Sequence, residues 1–177
     1  MKRKLELKEI AGNLPYGLYS QHFAQYNEPP TIQRVIGIAE DCISFGSGKD
    51  YYFENYLFEV EDNPLIKIIL RPESDMYKPI THNGKEIIPI VELAKIAKPL
   101  YDWKLDADDN RAIDSNTFFS YRNFHCGFMC VSENRILDIN NQYQLFDYLH
   151  ELKIDYRGLI DAGLAISVYD LDVNPYK

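Results

Sequence analysis

Cysteine is scarce and odd in number. Three in 177 residues do not make a disulfide framework, and nothing else asks for an oxidising compartment. Long apolar runs are missing as well, since no stretch approaches the roughly 18 consecutive apolar residues of a membrane-spanning helix. The basic start Met1-Lys2-Arg3-Lys4 runs into Leu5-Glu6-Leu7-Lys8-Glu9, where a secretory signal needs an apolar segment. A reduced, cytoplasmic protein without a membrane segment is therefore expected. Basic side chains are in deficit too: 19 Lys and Arg stand against 27 Asp and Glu, a net charge of −8. The deficit is uneven, with 14 acidic and 12 basic side chains in residues 1–100 but 13 and 7 in residues 101–177. Phosphate backbones attract Lys and Arg, so the second half makes a poor nucleic-acid surface and nucleic acid is an unlikely partner overall. No nucleophile elbow or zinc-protease helix occurs, and no cofactor is implied.

What is present is the material of a folded chain, 46% hydrophobic and 14% aromatic. Fourteen tyrosines suit strands and partly wet surfaces, where a ring is buried and a hydroxyl is not. Residues 5–11 read as a helical turn or two closed by Gly12-Asn13. Strands are expected around 19–26, 32–39 and 42–45, then along the aromatic run 51–60. Short strands at about ten-residue spacing suggest a small barrel or a bent meander. Residues 65–70 fit either a helical turn or a buried strand. Arg71-Pro72-Glu73-Ser74-Asp75 reads as a seam. Asn83-Gly84 marks a hairpin, because it supplies both positive-φ residues of a type I′ turn. Ile90, Leu93, Ala94 and Ala97 form a helical stripe stopped before Pro99. Residues 100–116 read as an acidic loop, and 117–122 with 125–131 as a second hairpin.

The plainest periodicity is near the C-terminus. Leu145, Leu149 and Leu152 recur at helical spacing, with Gln144, Asp147, His150 and Glu151 on the other side. Asn140 or Asn141 is expected to cap that helix. Asp155 is expected to cap a second, shorter helix ended by Gly163, before the alternation of Leu164, Ile166 and Val168 gives a strand. The whole reads as an α+β protein in two halves. Residues 1–75 form a β-rich, barrel-like or meander half. Residues 76–177 form a mostly antiparallel sheet with helices on one face and a C-terminal helix pair.

Leu14-Pro15-Tyr16-Gly17-Leu18, Leu70-Arg71-Pro72-Glu73-Ser74-Asp75, the Asn83-Gly84 hairpin and Gly158-Leu159-Ile160-Asp161-Ala162-Gly163-Leu164-Ala165-Ile166 follow one another along nearly the whole chain. In that order they resemble small proteins carried in prophages and other mobile elements of anaerobic gut bacteria. The resemblance implies a setting and no chemistry.

Four stretches invite a chemical reading. Asp106, Asp108 and Asn110 stand at positions 1, 3 and 5 of a calcium-type loop and Asp114 at position 9. Arg111 replaces the turn glycine, however, and Thr117 the closing bidentate Glu, so a solvated acidic loop is expected. His125-Cys126-Gly127-Phe128-Met129-Cys130 offers soft ligands. On a strand its two cysteines lie about 13 Å apart, beyond the reach of one zinc ion. Gly46-Ser47-Gly48-Lys49 lacks the spacing of a phosphate loop and is followed by Asp50. Tyr51, Tyr52, Phe53, Tyr56 and Phe58 could stack bases, yet Glu54, Glu59 and Glu61 are interleaved. The histidines, His22, His82, His125 and His150, share no ligand spacing. The expected function is that of a non-enzymatic accessory protein acting through contacts with a partner protein or with itself. A small nucleic-acid binder using the β-rich half and a metal-dependent hydrolase using the acidic loop are the alternatives.

Overall fold

In the computed structural model, which describes residues 5–23, 29–38, 42–46, 50–52, 66–122 and 127–176, short strands dominate and nearly all pair antiparallel. The protein is α+β. The chain divides into two compact units, Met1–Pro72 with Arg157–Tyr176 and Glu73–Tyr156. The C-terminal stretch thus returns to the first unit, which a single break near residue 75 does not describe.

In the first unit a four-residue helix, α1 (Leu7–Ile10), runs into 3-10 turns over Ala11–Tyr16. The winding passes through Gly12-Asn13 instead of stopping there, with Asn13 buried. Five strands follow: β1 (Tyr19–His22), β2 (Thr31–Ile38), β3 (Cys42–Phe45), β4 (Asp50–Tyr52) and β5 (Ile66–Pro72). They lie in the order β5-β1-β2-β3-β4. Residues 65–70 had two readings, and the strand prevails. Ile66, Ile68 and Leu70 enter the core of this unit beside Val35, Ile43 and Phe45, and β-branched chains suit a pleat buried on both faces. No barrel closes among the described residues. The open side of β5 instead takes the late strand β14 (Ala165–Ser167) in parallel, Ala165 opposite Ile68 and Ser167 opposite Leu70.

The tail completes the same unit. Ser20 pairs with Ile68 across β1 and β5, and one step further the Tyr176 hydroxyl lies between the two strands. It donates to the Ile69 carbonyl at 2.8 Å and accepts from the Tyr19 N–H at 3.1 Å. A side-chain oxygen thus bridges a ladder where the two strands no longer bond directly, satisfying two polar groups that burial would otherwise penalise. The helix expected from Asp155 to Gly163 is not formed. Asp155 is buried in β13 (Ile154–Asp155), and Gly158 takes φ +69°, a left-handed value that interrupts helix winding. A single turn remains, closed by Gly163 at φ +73° with Gly163 N–H to Ile160 O and Leu164 N–H to Leu159 O. That pair of bonds is the Schellman arrangement, so Gly163 does end a turn.

The second unit opens with the hairpin β6 (Ile80–His82) and β7 (Lys85–Ile87), Asn83 and Gly84 both at positive φ between them. Helix α2 (Pro89–Ala97) buries Ile90, Leu93 and Ala94. Then comes a five-stranded antiparallel sheet in chain order: β8 (Lys104–Asp106), β9 (Arg111–Asp114), β10 (Thr117–Arg122), β11 (Gly127–Ser132) and β12 (Arg135–Leu137). Residues 100–116, expected as loop, thus hold two strands. The acids hide an alternation in which Trp103, Leu105 and Ala112 turn inward. Registers align Leu105, Ala112, Phe119, Cys130 and Leu137 in one row across all five strands. That row meets α2 and α3 (Gln142–Leu152), which contributes Leu145, Leu149 and Leu152. Both helices therefore cover one face.

Asn141 stands at the start of α3 but does not cap it. Its amide donates instead to the Ile96 carbonyl at the end of α2. Beside it, Gln142 accepts from Phe128 N–H at 3.1 Å and donates to Phe128 O at 2.7 Å. Strand β12 stops pairing at Cys130, and the Gln142 amide serves β11 as a one-residue substitute strand.

Candidate functional site

The acidic stretch is a hairpin whose carboxylates are drawn to one cation. Arg111 Nε donates to Asp106 Oδ2 at 2.9 Å, and its Nη2 lies 2.6 Å from Asp109 Oδ2. The guanidinium also sits 4.9 Å from the centre of the Phe118 ring, a cation–π distance. Asp114 is engaged elsewhere, accepting from Asp102 N–H at 3.2 Å and from the Ser115 hydroxyl at 3.3 Å. Asp108 is exposed, and Asn110 takes φ +50° to close the turn. Of the four candidate ligands, Asp106 alone meets Arg111, while Asp108, Asn110 and Asp114 face other tasks. Arg111, standing where a calcium loop needs glycine, is what organises the hairpin. Among the described residues no three His, Cys, Asp or Glu side chains converge as metal ligands would.

The histidines are dispersed. His22 Nε2 lies 3.1 Å from the Ser20 hydroxyl, its ring edge-on to Phe45. His82 contacts Glu151 at 3.0 Å, and His150 contacts the Tyr156 hydroxyl at 2.9 Å. Ser20 is fully buried, so its hydroxyl is closed to any substrate. His125 and Cys126 lie outside the described residues, as do 47–49 of the glycine-rich turn and 53–60 of the aromatic run. Cys130 is in the buried row, and burial pushes its thiol up from the ordinary range, which keeps it protonated and unreactive. Burial, reinforced by Glu73, raises Tyr77 to about 12. Burial, then Glu92 and Glu151, raises Tyr148 to about 12.

Among the described residues, neither core takes in the other face of the five-stranded sheet. The positions between the buried ones align Lys104, Ile113, Phe118, Val131 and Ile136 in a second transverse row. None of its four apolar members joins either core. Ile113, Phe118 and Val131 are half-buried and Ile136 is 74% exposed. Met129 continues the apolar surface, and Arg122 lies exposed at the end of β10 on the same side. An antiparallel sheet with one covered face ordinarily turns polar residues outward; here an apolar row runs among the outward Lys104, Asp106, Arg111 and Arg122. The chain matches no family model, no curated protein and no solved structure. The signal was in the sequence, in adjacent Phe118-Phe119 and in Met129-Cys130-Val131, where both faces of a strand are apolar.

Proposed function

We propose that the protein is a non-enzymatic accessory protein that acts through protein contacts, presenting the uncovered sheet face to a protein partner. The observation that supports this reading is the row Ile113, Phe118, Val131 and Ile136, apolar side chains on the side of the sheet away from both helices. Exposed apolar surface gathered on one face marks interaction sites more often than surface apolar residues scattered singly. Rigid strands hold the row, so little ordering cost falls on binding. The engagement of Asp106 and Asp109 by Arg111 favours contact over catalysis at the hairpin. No described helix is long and apolar enough to cross a membrane, which agrees with work in the cytoplasm. The order of the motifs from Leu14 to Ile166 supports a prophage or mobile-element setting.

Peptides selected from a random displayed library on the immobilised protein test the reading. Titrated by calorimetry, they are expected to lose at least about tenfold in affinity on Ile136→Asp, with the circular dichroism melt unchanged because Ile136 is exposed. Selected peptides that bind the variant as well as the parent would overturn the assignment of this face.

A further inference from the structure

We infer that Asn83-Gly84 is a self-modifying site, where the Asn83 side-chain amide is lost through a cyclic imide and His82 supplies the proton to the departing nitrogen. The role proposed for the sheet face makes no use of this turn. Asn83 is the one asparagine of the chain that a glycine follows. Asparagine is thermolabile because the next backbone nitrogen can attack its side-chain carbonyl carbon, an approach that a side chain on the following residue hinders. Asn83 and Gly84 are both exposed, and among the described residues a Cβ built on Gly84 would meet nothing within 4 Å. The positive φ of both turn residues has to relax before the ring can close, so the reaction is slow.

A second observation concerns the leaving group. Asn83 Nδ2 lies 3.0 Å from His82 Nε2, and Glu151 Oε1 lies 3.0 Å from the same ring nitrogen. One imidazole nitrogen cannot accept from an amide and donate to a carboxylate at once. Neutral, it accepts from Asn83; protonated, it donates to Glu151. The ring thus stands between a carboxylate that holds its proton and the nitrogen that needs one to leave. The charged side chains set around His82 are Glu151 on α3 and Lys85, its cross-strand partner on β7; Glu92 of α2 acts with Glu151 on Tyr148. In the reaction the Gly84 nitrogen loses its proton to solvent and bonds to Asn83 Cγ. The Cγ–Nδ2 bond breaks, and Nδ2 leaves as ammonia with the proton carried by His82, which solvent replaces. Water then opens the imide at either carbonyl, giving aspartate or iso-aspartate. Both products bring a new carboxylate that competes with Glu151 for the ring. Iso-aspartate also adds a carbon to the main chain of a tight two-residue turn.

Incubation of the intact protein for weeks, followed by peptide mapping with mass spectrometry, tests the inference. The peptide carrying Asn83 should gain the mass of an amide-to-acid exchange and separate into two isomers. Asn134, exposed in the β11–β12 turn and followed by Arg135, should stay intact. His82→Gln should slow the conversion at least about tenfold at about pH 6, since a positioned proton donor contributes that much or more. At about pH 9, where an ordinary imidazole is neutral, its rate should approach that of the wild type. Glu151→Gln, which removes the group that positions the ring, should lose part of the same advantage on the acid side. A change that only loosened the turn would alter the rate by one factor at every pH. An Asn83 that stays intact, a single isomer as product, or a His82→Gln effect equal at both pH values would overturn the inference.

Discussion

Tyr77 and Tyr148 hold neutral hydroxyls where burial and nearby carboxylates oppose ionisation, each titrating at about 12 rather than near 10. The neutral form is the protonated one. As pH rises through about 10 the unfolded chain gives up protons that the folded chain keeps until about 12, so the unfolded state gains. The contribution of these two hydroxyls is complete below pH 10, is lost between about 10 and 12, and then levels off. Thermal melts across that range should show a steep loss for the wild type and a shallower one for Tyr148→Phe. Equal slopes in the two proteins would show that this hydroxyl does not carry the effect. The same scale bears on the acidic stretch, where a solvated loop was expected and Arg111 organises a hairpin. Asp106, Asp108 and Asn110 have ligand spacing, and only the position of Arg111 tells that the nearest counter-charge is internal.

Elements here are often too short to be finished by backbone alone, and side chains complete them. Gln142 is the clearest case, because its amide makes both bonds that a neighbouring strand would make to Phe128. Gln142→Ala leaves that N–H and C=O half-buried and unpaired, and should cost about 1–3 kcal/mol in urea unfolding. Gln142→Glu keeps the acceptor for Phe128 N–H and loses the donor, so it should also destabilise. A loss near zero for the alanine variant would mean that water replaces the amide fully. Such substitutions bear on what could be foreseen. The stripe Leu145, Leu149 and Leu152 announced α3, and Asn83-Gly84 announced its hairpin, because each pattern is local. Strands β8 and β9 were hidden by Asp102, Asp106 and Asp114, which are solvent-facing or hairpin-bound. Adjacent Phe118-Phe119 and Met129-Cys130-Val131 signal strands apolar on both faces, but only the registers place Ile113, Phe118, Val131 and Ile136 in line. The helix expected after Asp155 failed because Gly158, which looked like a helix residue, takes a left-handed turn.

At the scale of the whole molecule the chain leaves its first unit at Pro72 and comes back to it at Arg157, so the last twenty residues finish what the first seventy begin. Strand β14 pairs with β5, and Tyr176 bridges β5 to β1. The first unit therefore should depend on the tail, and the second should not. Tyr176→Phe removes the bridging hydroxyl while keeping the ring against Tyr19, and should cost about 1–3 kcal/mol for the two polar groups it leaves unpaired. Hydrogen exchange is the measurement that separates local from global effect. Amides of 19–22 and 66–70 should exchange faster in the variant, while those of 104–137 keep their wild-type protection. Uniform acceleration across both ranges would instead mean that the two units unfold as one.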